Sequence, residues 1–147
     1  MRVGNKFGEN RIDLMNILVT MLPGTSVTYY GEEIGMLDQC AYFPEGTNKP
    51  GKTCDPNEES RTHASEWVRS PMQWDDTKNA GFSTADDTWT PVALNYKELN
   101  VKAQMGKEKS HLEIHRQLLK LRKSKAIMES DNFEISTLSA NSFAFKR

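Results

Sequence analysis

The chain has 147 residues, 37% hydrophobic and 27% charged, with a net charge of −1 and both signs mixed along its length. That balance belongs to an ordinary soluble globular protein, and it leaves no basic field for a phosphate backbone or an anionic lipid, so nucleic acid is excluded as a partner. The longest apolar run, Leu14 to Leu22, is broken by Asn16 and Thr20 and stopped by Pro23, while the stretch from Met1 to Gly8 is polar and Gly-rich; a bilayer span and an export signal are therefore expected outside this chain, if the protein uses them.

From Glu9 to Leu22 the pattern predicts a helix. Ile12, Leu14, Met15, Ile17, Leu18, Val19, Met21 and Leu22 are too dense for a helix with one buried side, so cover on more than one face is expected. Pro23-Gly24 ends it. Ser26 to Tyr30, β-branched and aromatic with no charge, predicts a strand of a parallel sheet, its tyrosines on alternate faces, and Gly31 lets the chain turn before Glu32 and Glu33.

Between Leu37 and Lys109 no period is sustained. A connection of that length reads as a folded insertion over a site, and it holds all three tryptophans and both cysteines. The polar stretch between Cys40 and Cys54 contains Pro44, Gly46, Pro50 and Gly51 and can double back. A Cys40–Cys54 disulfide is expected there, restricting the unfolded chain by roughly 3 kcal/mol in the loop-entropy model. Two free thiols are the alternative, and a zinc site lacks both the paired spacing and a nearby His. Oxidised cysteines would place the chain in an extracellular or lumenal setting.

A second helix is predicted from Ser110, whose hydroxyl suits the cap while Glu113 reaches back, through Leu118, Leu119 and Leu121 towards Met128. Arg116, Lys120, Arg122, Lys123 and Lys125 suit its C-terminal half and a solvated face. After Asp131-Asn132 the pattern alternates: Phe133 and Ile135, a Ser-Ala-Asn turn, then Phe143 and Phe145. This predicts a β-hairpin, a marginal unit when alone.

Two strings in this order, PGTSVTYYGEEIGM from Pro23 to Met36 and SPMQWDDTKNAGFS from Ser70 to Ser83, resemble the last part of the catalytic barrel of the α-amylase superfamily. Within it they are most similar to the α-glucosidase (maltase) branch, insect maltases above all. The resemblance implies an α/β fold: the C-terminal part of a (β/α)8 TIM barrel, its last helix, strand and helix, running into the start of an antiparallel β-domain. Residues 1–130 would belong to the barrel, with an active-site insertion over about 37–109, and 131–147 to the β-domain. It implies a retaining α-glucosidase acting on a maltose-like oligosaccharide, without cofactor or metal. Its location would be extracellular, or membrane-anchored through a segment outside this chain. The family's nucleophile, general acid and transition-state carboxylate lie upstream of such a stretch, so no catalytic residue is expected here and the chain alone is expected to be inert and prone to aggregate. A non-catalytic relative, either an amino-acid transporter heavy-chain subunit or a surface receptor, is the rival reading, and a truncated gene product a third.

In such a barrel the C-terminal end of the strand faces the site, so Tyr30 to Glu33 are expected there. Glu32 and Glu33 are too close in sequence to straddle a glycosidic bond. At most one of them reaches the site, and Glu33 is expected to be structural, as the resemblance implies. Arg69, directly before Ser70-Pro71-Met72-Gln73-Trp74, matches the family's pocket-closing arginine; its planar fork suits a carboxylate and a sugar hydroxyl together. Arg2 would lie beside the missing transition-state carboxylate and orient it, or serve a loop. Trp67, Trp74, Phe82, Trp89 and Tyr96 offer faces for sugar rings, with one or two expected to touch them and the rest to pack. His111 and His115 are four apart, but Glu113 is misplaced for a metalloprotease helix, and they read as packing or surface residues. Asp75-Asp76 and Asp86-Asp87 read as turn and cap residues.

Overall fold

A computed structural model describes residues 1–38, 68–129, 132–140 and 142–147. Cys40, Cys54 and Trp67, with the disulfide expected above, lie outside the described residues.

The chain opens with α1 (Val3–Phe7), a 3₁₀ turn over Glu9–Arg11, and α2 (Ile12–Met21). The predicted Glu9–Leu22 helix thus starts later, because Glu9–Arg11 closes as a tighter turn. Ile12, Asn16 and Thr20 recur every fourth residue and are buried, whereas Leu14, Val19 and Leu22 are exposed. Among the described residues α2 is therefore covered on one face, not several.

Residues 25–29 carry no regular secondary structure, which corrects the expected strand and parallel sheet. A strand requires a neighbour to complete its ladder of hydrogen bonds, and no described segment supplies one. Gly31 and Gly35, at φ 88° and 75°, then bracket a 3₁₀ turn over Glu32–Ile34. Residues 68–100 are mostly turns, one of them over Lys78–Gly81 kinked by left-handed backbone at Asn79 and Ala80. Asn100 starts α3 (Val101–Gln104) by accepting the Ala103 N–H at 2.7 Å.

Ser110 caps α4 (His111–Arg122) as predicted, its hydroxyl accepting the Glu113 N–H at 3.3 Å. The Glu113 carboxylate does not reach back; it accepts from the Gly106 N–H at 2.9 Å and from Arg116. Lys123 and Ser124 interrupt the helix before α5 (Lys125–Met128). The predicted hairpin is formed by β1 (Glu134–Ser139) and β2 (Ser142–Lys146), antiparallel, with Ile135 opposite Phe145 and Thr137 opposite Phe143.

The core lies where these pieces meet. Ile34, Met36 and Met72 are buried against Leu99, Val101 and Leu112. Gln104 ties the layers, donating to the Ile34 carbonyl at 2.8 Å and accepting from Leu112 N–H at 3.0 Å. α2 packs along α4, where Asp13 meets His111 Nδ1 at 2.7 Å. Arg122 donates to the carbonyls of Thr20, Leu22 and Gly24, and Arg147 to those of Met21 and Leu22, so two cations close the C-terminus of α2. No helix among the described residues is long and apolar enough to cross a membrane.

Candidate functional site: an aromatic pocket

Two cavities meet at Tyr29. The first, about 530 Å³, is lined by Tyr29, Tyr30 and Glu33 from the turn after α2 and by Arg69, Pro71, Met72, Trp74, Phe82 and Trp89 from the 68–90 segment. The second, about 400 Å³, lies on the other side and includes Arg2, Asn16, Val27 and Glu32.

Why the first is apolar follows from its parts. Gly31 sits left-handed against Met36 and Arg2; a Cβ there would come 2.5 Å from Met36 Sδ and 2.9 Å from Arg2 Nη1, so the turn closes this tightly only with glycine. That turn sets the two tyrosine rings side by side, centroids 4.7 Å apart, instead of on opposite faces as a strand would. The Tyr30 hydroxyl donates to the Ser70 carbonyl at 2.9 Å and so fixes the opposite wall. Burial, with Tyr29 alongside, pushes the Tyr30 phenol up from its usual value.

Of the five aromatics singled out in the sequence, Trp74, Phe82 and Trp89 line this pocket and remain at least half exposed. Tyr96 does not, and its segment is bound instead to Asn100 through the Tyr96 carbonyl at 2.8 Å.

Glu32 and Glu33 part company, as expected, though by another route: a 3₁₀ turn separates successive side chains by a third of a revolution. Glu33 lines the aromatic pocket, with one buried oxygen that has no hydrogen-bond partner among the described residues. Glu32 takes the structural role assigned to its neighbour. Its Oε1 accepts from the Val3 N–H at 3.4 Å and lies 3.9 Å from Arg2 Nη1, while its main-chain carbonyl accepts from Asn16 at 3.2 Å. Burial raises its carboxyl above the ordinary range, and the Val3 N–H and Arg2 oppose that rise.

Arg69 stands at the pocket edge, exposed, with its charge acting on the Tyr30 phenol. Arg2 is placed differently. Only 1% exposed, it donates to the carbonyls of Tyr30 at 2.7 Å and Val68 at 2.8 Å, and its guanidinium lies 5.1 Å from the Tyr30 ring centre and 5.3 Å from that of Tyr29. It therefore stands behind the pocket and joins its two walls. Main-chain acceptors leave no mark in a sequence, so this joint is not legible there.

His111 pairs with Asp13, and His115 is buried on α4 with its Nδ1 lacking a partner among the described residues. Burial lowers the His115 pKa, with the Glu33 charge opposing. Asp75 accepts from the Thr77 N–H and hydroxyl, which hold its carboxyl below the ordinary range; Asp76 pairs with Lys102 and Asp86 with Lys78. These acidic residues close turns and loops.

A pocket with three open aromatic faces, one arginine fork and one carboxylate suits a ring with apolar C–H faces and hydroxyl edges, which is the chemistry of a sugar.

The family described as alpha amylase, catalytic domain, matches residues 1–131. A salivary alpha-glucosidase of Aedes aegypti is 48% identical over 99% of this chain, and Maltase 1 of Drosophila virilis is 41% identical over 99%. The chain spans 25% and 23% of the length of those relatives. A human amino acid transporter heavy chain, SLC3A1, is 37% identical over 80% of this chain, which covers 15% of its length. Among solved structures, a mutant of the trehalulose synthase MutB superposes over 99% of this chain and 30% of its own, with TM-score 0.72 at 23% identity. That superposition shows the fold: a piece related to the TIM barrels of these enzymes.

Proposed function

Because the chain belongs to the alpha-amylase catalytic-domain family, we propose that it forms one wall of the sugar pocket of a retaining α-glucosidase that releases terminal α-linked glucose from maltose-like oligosaccharides. The observation that carries this reading is the pocket itself, with Trp74, Phe82 and Trp89 presenting open faces beside Arg69. A glucosyl ring would rest its C–H faces on those rings and offer a hydroxyl to Arg69. Arg2 serves the same pocket from behind, as a positioning residue for Tyr30 and Val68.

Hydrolysis of this kind uses two carboxyls about 5–5.5 Å apart. Glu33 alone among the described carboxylates lines the pocket, so the reacting pair would come from elsewhere in a longer protein. In that protein, residues 1–130 would complete the barrel and 131–147 would begin the β-domain. Its location would be outside the cell, as the salivary relative's name suggests.

The second reading, a binding-only relative, is supported by the match to the transporter heavy chain. The two separate by incubating a longer protein that contains this chain with maltose, and with cellobiose as the β-linked control, and following glucose release. The glucosidase reading expects glucose from maltose alone. Arg69→Ala should weaken maltose binding about tenfold, the loss of one hydrogen bond to a charged group. Maltose left intact, or an Arg69→Ala variant that binds it equally well, would sink the reading.

A further inference from the structure

The loop between Trp74 and Phe82 contains the two non-glycine residues of the described chain with positive φ: Asn79 at 53° and Ala80 at 57°, followed by Gly81 at 68°. Side chains rarely adopt this conformation, alanine least readily of the two, and two in succession persist only where the surroundings over-determine them. Here they do. The Ala80 carbonyl accepts two N–H groups, from Trp74 at 2.9 Å and Asp75 at 3.2 Å, and Ala80 itself is fully buried. The Asn79 amide donates to the carbonyls of Ser83 at 3.2 Å and Ala85 at 2.8 Å, and the Asn79 carbonyl accepts from the Phe82 N–H at 3.0 Å.

Four of these five bonds end on, or next to, a residue that carries a pocket ring, and the fifth ends on Ala85, three residues beyond Phe82. Trp74 is held from the opposite side as well, its carbonyl accepting the Lys102 N–H at 3.0 Å. The strain is therefore placed between two half-exposed aromatic side chains that share one cavity. An unstrained loop would satisfy the same backbone groups without fixing where the rings stand.

We propose that the left-handed Asn79-Ala80 pair is a positioning device for the aromatic wall, holding Trp74 and Phe82 at the separation a glucosyl ring requires. This rests on the sugar-pocket reading. Neither residue touches the ligand; both act through the rings they fix. A device of this kind has two parts, the backbone conformation and the bonds that lock it, and they can be removed separately.

Two variants, each made in a longer protein that supplies the other walls of the pocket, do so. Ala80→Val removes the left-handed conformation. The double variant Asn79→Gly with Ala80→Gly keeps that conformation accessible but deletes the amide ties and loosens the turn. Maltose affinity is read by fluorescence titration. The position and width of the Trp74 indole N–H signal, assigned with Trp74→Phe, is read by NMR without ligand. The expected result is a shifted or broadened Trp74 signal in both variants and maltose binding weaker by about tenfold, the size of a lost ring contact. Were Ala80→Val to fail to fold, the glycine pair decides by the same readings. An unchanged Trp74 signal in the glycine pair, together with unchanged affinity, would overturn the proposal. If the unaltered longer protein binds no maltose, the sugar-pocket reading falls, and the ligand-free indole signal still judges the positioning role alone.

Discussion

Replacing Arg2 by methionine tests the joint behind the pocket. The guanidinium makes two charge-assisted bonds, at 2.7 Å to the Tyr30 carbonyl and 2.8 Å to the Val68 carbonyl, in a position 1% exposed. Bonds from a charged donor contribute about 1.5–3 kcal/mol each, and the ring contacts about 1 kcal/mol more. Opposing this, methionine needs no desolvation, and the Arg2 Nε, which has no partner among the described residues, is removed with the rest. The balance is a loss of about 3 kcal/mol, within the range for breaking a buried polar contact. For a chain of this size that lowers Tm by roughly 10 °C. Arg2→Lys keeps the charge but reaches one carbonyl at a time and should recover about half the loss. Urea unfolding followed by circular dichroism measures both. A change of less than about 0.5 kcal/mol in Arg2→Met, the size of an ordinary surface substitution, would refute a joint at this place.

Two further substitutions probe the packing beneath the pocket. Gly35→Ala puts a methyl 2.6 Å from the His111 ring at a residue with φ 75°, so it strains the backbone and pushes His111 from Asp13; a cost of about 2–3 kcal/mol should appear in the urea midpoint. His115 gives a pH dependence whose sign is fixed. Burial holds its folded pKa below the usual 6.5, so the unfolded chain takes up the proton first; stability is full above about pH 6.5 and falls as pH drops towards the lower folded value. His115→Phe should flatten that slope below about pH 7. Parallel urea midpoints for the two chains across this window would refute the assignment.

How much of this was legible beforehand depends on whether a feature is local. The Ser110 cap and the alternation from Phe133 to Phe145 are written in neighbouring residues, and α4 and the hairpin stand where the pattern puts them. The wall of Trp74 and Phe82 belongs to a string whose resemblance was visible, yet its left-handed turn carries alanine where glycine would have announced it. Residues 25–29 failed for the opposite reason. Their composition is that of a strand, but a strand is completed by its neighbours, and none is among the described residues. That Glu33 lines the cavity while Glu32 is tied to Val3 and Arg2 is hidden in the sequence because it depends on a 3₁₀ turn. Arg122 looked like one of many solvated cations, and its carbonyl partners on α2 are main-chain groups.

The Arg2 joint also bears on the order in which the molecule assembles. Its two acceptors lie 28 and 66 residues along the chain, and the Arg122 contacts to α2 span about 100. Loops of that length close slowly, because chain entropy is lost before any contact rewards it. Helix α4 and the hairpin, whose contacts are between near neighbours, can therefore form in microseconds, while the cavity is among the last features to appear and among the first to open when the fold loosens.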